Sequence, residues 1–118
     1  MISYTHLYTG PDGKSHFKDA GIPMKQSPIT GRDTSELMTT TFALFMESTE
    51  LQDYHVASRR QFLIFLDGEM DITVGGGTTH RFRPGDIMLA DDTTGQGHIS
   101  RVVGNKPVKA VFVVLVQK

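Results

Sequence analysis

Punctuation constrains this chain more than anything else. Turn clusters ("GPDG", "LDGE", "GGG", "RPGD", "DDTTGQG") break it about every 8 to 12 residues, and no helical period runs between them. What lies between is short and rich in β-branched and aromatic residues: "SYTHLYT", "LMTTTFALFME", "QFLIFL", "EMDITV", "TTHRF", "IMLA", "HISRVV" and "VKAVFVVLV". In "EMDITV", Met70, Ile72 and Val74 share one face and Glu69, Asp71 and Thr73 the other. "QFLIFL" meets "EMDITV" across Asp67-Gly68, a strong hairpin dipeptide, and the triple glycine at 75–77 closes a second hairpin into "TTHRF". Residues 19–36 hold two prolines and no clear period, which predicts a surface loop. The expectation is an all-β sandwich or barrel of mostly antiparallel strands, one domain spanning residues 1–118.

Charge and composition exclude several classes. Twelve Lys and Arg against 13 Asp and Glu give a net charge of -1, so no basic footprint for nucleic acid exists. Cysteine is absent, which removes disulfides and thiolate metal sites. "MISYTHLYTG" lacks the layout of a signal peptide. The longest apolar run, "AVFVVLV", is far short of the ~20 residues that cross a bilayer as a helix. A soluble, cytoplasmic protein with no membrane partner is expected. "AVFVVLV" and "FLIFL" are apolar on both faces, and an exposed apolar strand invites association, so a homodimer is expected to cover them.

"DYHVASRRQFLIFLDGE", residues 53–69, carries polar side chains on a strand that is otherwise being buried. Read as one strand, it puts His55, Ala57, Arg59, Gln61, Leu63 and Phe65 on one face, which runs from polar to apolar. That gradient suits a barrel interior wet at one end and packed at the other.

With that stretch in view, the chain resembles the cupin superfamily of small jelly-roll β-barrels. The first cupin motif has two histidines two residues apart, a glutamate four residues on and a glycine seven beyond. It falls here on His55, Ala57, Gln61 and Gly68. The second motif follows a Pro-Gly-Asp turn, supplied by Pro84-Gly85-Asp86, and falls on Thr93, Gly95 and His98, with Val102 in place of the late asparagine. The resemblance covers roughly residues 50–105. It implies a jelly-roll barrel and, in its usual form, a divalent metal held by three histidines and a glutamate.

The departures shape the functional expectation. Ala57 and Gln61 remove one imidazole and the carboxylate, leaving two neutral imidazoles and an amide, whereas imidazole and carboxylate are the usual ligands of first-row metals. The leading expectation is therefore a small-molecule-binding enzyme of isomerase, cyclase or lyase type, acting on a small anionic oxygenated metabolite with no required cofactor. His55 and His98 would be catalytic through proton transfer. Arg59 would clamp an anion and Gln61 a carbonyl or hydroxyl. Two alternatives stand beside it: a metal-dependent oxygenase or isomerase using His55, Gln61 and His98 with Fe, Mn, Ni or Zn, and a non-catalytic ligand-binding or sensory module. Asp91 and Asp92 are read as an Asx-type turn, and His6, His16 and His80 as surface residues.

Overall fold

The computed structural model describes residues 1–116. In chain order the strands are β1 (Ile2–Thr9), β2 (Ser15–Ile22), β3 (Lys25–Gln26), β4 (Asp33–Thr34), β5 (Thr40–Ser48), β6 (Gln52–His55), β7 (Gln61–Asp67), β8 (Met70–Val74), β9 (Thr79–Phe82), β10 (Ile87–Asp91), β11 (His98–Val102) and β12 (Val108–Leu115). No helix forms among the described residues. One sheet has six strands in the order β2-β1-β10-β7-β12-β5, and a second has four in the order β6-β11-β8-β9. β3 and β4 form a separate ladder. Every pairing is antiparallel except β1 with β10. The expected all-β jelly roll is the architecture that forms.

Alternation builds the core between the two sheets. Leu63, Phe65, Met88, Ala90, Val108 and Ala110 come from the large sheet, and Met70, Ile72, Val74 and Phe82 from the small one. Phe65 and Phe82 stack across the gap with ring centroids 5.1 Å apart. A second cluster lies on the other face of the large sheet, where Phe62, Leu89 and Leu115 are buried against Tyr4, Ile22, Ile87 and Val113. Residues from β1 and β2 thus supply part of the cover that "FLIFL" and "AVFVVLV" were expected to take from a second subunit. β5 stays largely bare on both faces, with Phe45 81% exposed on one and Phe42 and Leu44, each 38%, on the other.

Three expectations are corrected. β7 and β8 do not pair as a hairpin: β7 lies between β10 and β12, and β8 between β11 and β9. Asp67-Gly68 is a corner between sheets. Gly68 has φ +73°, and a Cβ there would strike the backbone of Pro107, so the corner needs glycine for its conformation and for space. The hairpin across the triple glycine does form, with Met70 opposite Phe82. Residues 19–36 are not wholly loop, because β2 runs to Ile22 and the short β3–β4 ladder follows. Finally, residues 55–66 are not one strand. β6 ends at His55 in the small sheet, and β7 begins at Gln61 in the large one.

Candidate functional site

The break between β6 and β7 places the site. The chain leaves the small sheet after His55 and enters the large sheet at Gln61, so the two residues face one interior from opposite walls. Both line a cavity of about 520 Å³, together with His98 and Ser100. Its apolar wall includes Leu63, Met70, Ile72, Met88 and Phe112. A size of this order suits a small organic ligand. A second hollow of about 560 Å³ lies between the β1–β2 edge and β9. Its arginines are already engaged, Arg81 with Asp71 and Arg83 with Glu69.

His55 and His98 are direct cross-strand partners on β6 and β11. Their ring centroids lie 4.4 Å apart at an interplanar angle of 57°. A glycine makes this approach possible. Gly97, with φ +79°, lies so close to the carbonyl of His55 that any Cβ would collide with it. The two imidazoles are anchored differently. His55, half-buried, donates from Nδ1 to the backbone oxygen of Asp53 at 2.8 Å. His98, 4% exposed, donates from Nδ1 to Oδ2 of Asp92 at 2.6 Å. A carbonyl and a carboxylate can only accept, so each Nδ1 carries its proton and each Nε2 keeps a lone pair when the ring is neutral. Charging both rings at once would set two cations side by side, at ~4 kcal/mol of repulsion for an effective dielectric near 20.

Asp92 is not the turn residue expected. Completely buried, its Oδ2 also accepts from the Ser15 hydroxyl at 2.6 Å, while its Oδ1 finds no partner among the described residues. The signal was in the alternation: Met88 and Ala90 face inward on β10, and Asp92 continues their parity one residue past the strand. Asp91, of opposite parity, pairs outward with His6 at 2.9 Å and Arg60 at 3.4 Å.

Arg59 is also corrected. It is exposed, is not among the cavity-lining residues, and sets its guanidinium 4.8 Å from the centre of the Phe42 ring. Parity fails because residues 56–60 are not in strand conformation, so alternation does not carry across them. No lysine or arginine lines the cavity among the described residues, whereas Glu47 and Glu50 do. Ala57 and Gln61, both 7% exposed, line it as the spacing expected. His6 and His16 lie toward the surface, bonded to Asp91 and Asp12. His80 packs beside Phe17 and Phe82.

The residues present do not fit the metal that the resemblance implies. Among the described residues no three of His, Cys, Asp or Glu gather to hold an ion. Ala57 stands where an imidazole would be needed and Gln61 where a carboxylate would be. Two imidazoles and an amide leave a divalent charge unbalanced.

No family model matches the sequence, and no curated protein matches it. Solved structures do match in fold. One is protein NMB1881 from Neisseria meningitidis, 15% identical, with a TM-score of 0.51 over 63% of this chain and 72% of that one. Another is the cupin domain of Cnp3 from Schizosaccharomyces pombe, 12% identical, with a TM-score of 0.50 over 98% of this chain and 83% of that one. At such identities the likeness is one of fold. No helix among the described residues is long and apolar enough to cross a membrane.

Proposed function

We propose that this chain, a barrel with the cupin fold, binds a small oxygenated molecule in its cavity and acts on it by proton transfer, without a tightly held metal. One observation carries this reading: the His55 and His98 rings stand side by side at the cavity wall, tilted to each other, with both Nδ1 atoms engaged. An imidazole Nε2 that keeps its lone pair can take a proton from a substrate and return it. The Gln61 amide can bond a carbonyl or hydroxyl, and the apolar wall can take a carbon skeleton. With Arg59 outside and Glu47 and Glu50 in the lining, a neutral ligand suits the cavity better than the anion expected from sequence. Isomerisation, cyclisation or elimination at a carbon beside a carbonyl would use these groups.

The test is thermal-shift screening of a library of small neutral hydroxy- and keto-compounds, followed by turnover assays on the hits. Binding that survives in His98→Ala while turnover falls by about 10²-fold or more supports proton-transfer catalysis. Binding without turnover in the wild type leaves a ligand-binding module instead. Elemental analysis of protein purified without chelator should find well under one equivalent of metal. Near-stoichiometric iron, manganese, nickel or zinc overturns the metal-free part and restores His55, Gln61 and His98 as its ligands. The homodimer belongs with this reading, its contact now at the exposed edge strand β5, around Phe45, in place of β7 and β12. Light scattering that finds a monomer at micromolar concentration overturns it.

A further inference from the structure

We infer that Asp92 is a positioning residue: it holds the His98 imidazole in the tautomer whose Nε2 is bare, so that His98 can accept a proton in the cavity. The acceptor role rests on the proton-transfer reading above; the control of the His98 tautomer by Asp92 does not.

Burial sets the argument. Asp92 is 0%, Ser15 1% and His98 4% exposed. A carboxylate loses much hydration on burial, so one kept for stability alone would be expected to bond through both oxygens. Asp92 instead gathers its hydrogen bonds on Oδ2, from Ser15 Oγ and His98 Nδ1 at 2.6 Å each, while Oδ1 has no partner among the described residues. The arrangement favours orientation of the imidazole over saturation of the carboxylate. Its backbone is held as well, since the carbonyl of Asp92 accepts from the amide of Ala57, two residues after His55. β2 and β11 therefore converge on the Asp92 side chain, and the segment after β6 on its backbone.

The consequence is a fixed tautomer. Nδ1 of His98 donates to the carboxylate, so Nε2 of the neutral ring stays bare and can accept a proton from a bound ligand. His55 is anchored only to the backbone oxygen of Asp53, on a half-buried ring.

The experiment is nitrogen-15 NMR of histidine-labelled full-length protein at neutral pH with no ligand present. In the wild type, the His98 proton should sit on Nδ1 with Nε2 unprotonated. In Asp92→Ala, Nδ1 of His98 has no acceptor, so the proton should no longer be confined there and the Nε2-protonated tautomer, the wrong one for an acceptor, should gain population. A wild-type His98 protonated on Nε2 overturns the inference, and so does an Ala variant with an unchanged tautomer. If Asp92→Ala fails to fold, Ser15→Ala decides. It keeps the carboxylate, so the proton should remain on Nδ1, and a shift to Nε2 would overturn control by Asp92. These spectra need no ligand, so they can fail while cavity binding stands. Absence of any ligand from the thermal-shift screen, with the tautomer intact, would sink the reading of the cavity and leave the positioning role in place.

Discussion

β7 and β5 are close to the same strand in composition and opposite in fate. "FLIFL" in β7 and "FALFM" in β5 each place two phenylalanines among aliphatic residues. In β7, Phe62, Leu63 and Phe65 are 8%, 6% and 1% exposed; in β5, Phe45 is 81% exposed. The difference is position in the sheet. β7 has a neighbour on each side, β10 and β12, and its inner face meets the small sheet. Among the described residues β5 pairs only with β12 and closes the sheet at its edge. Apolar composition makes a strand, and topology decides whether that strand is core or surface.

The contrast breaks most sharply by truncation. Phe65→Ala should destabilise the fold by about 3–5 kcal/mol, through lost burial and the cavity left against Phe82. Phe45→Ala, measured in dilute solution, should change stability by no more than about 0.5 kcal/mol. Denaturant unfolding of both variants checks this. Equal losses would mean that β5 is covered even in dilute solution.

The small sheet has its own edge strand, seated by a glycine. Among the described residues β6 pairs only with β11, and Gly97, just before β11, lets the two backbones meet at the carbonyl of His55. Gly97→Ala should force a strained φ and push β6 away, at about 1–3 kcal/mol. It should also separate the two imidazoles, so nuclear Overhauser contacts between the His55 and His98 rings should weaken. Unchanged ring contacts would show that some other element seats β6.

A weaker tie joins the loop after β6 to β5. Arg59 sits over Phe42, and Arg59→Ala should cost about 0.5–1 kcal/mol, with ligand binding in the cavity unchanged. Loss of ligand affinity would return Arg59 to the site.

The smallest effect lies on the β8–β9 hairpin. Arg81 grips Asp71 through Nε and one terminal nitrogen at 2.8 and 3.0 Å. These hydrogen bonds, aided by the charges of Arg81, Arg101 and Arg83, hold the Asp71 carboxyl below the ordinary aspartate value of 3.8. A lowered value in the folded state means stabilisation that is full above 3.8 and lost as pH falls through the lowered value. Arg81→Ala should therefore flatten the acid limb of the stability profile only slightly and leave neutral pH almost unchanged. A large loss at neutral pH would show that this exposed pair matters more than its screening allows.

Much of this protein was legible in its sequence because the relevant physics is local. Alternation marked the inner face of β8, turn residues marked most strand ends, and the spacing from His55 to Gln61 and on to His98 marked three residues of one cavity. Three features were not legible. The sequence reads Asp67-Gly68 as a hairpin, because the dipeptide that favours a tight turn also suits a corner, and only the placement of neighbouring strands distinguishes them. It reads Arg59 as a pocket residue, because parity holds only while the chain stays extended, and residues 56–60 leave that conformation as they cross between sheets. It reads Asp92 as a turn residue, because its partners Ser15 and His98 lie 77 and six residues away. Local pattern decided that this chain makes strands and which side chains can face inward. Tertiary structure alone decided which strands have neighbours, and which buried carboxylate meets which histidine, because those contacts join segments whose approach no local pattern encodes.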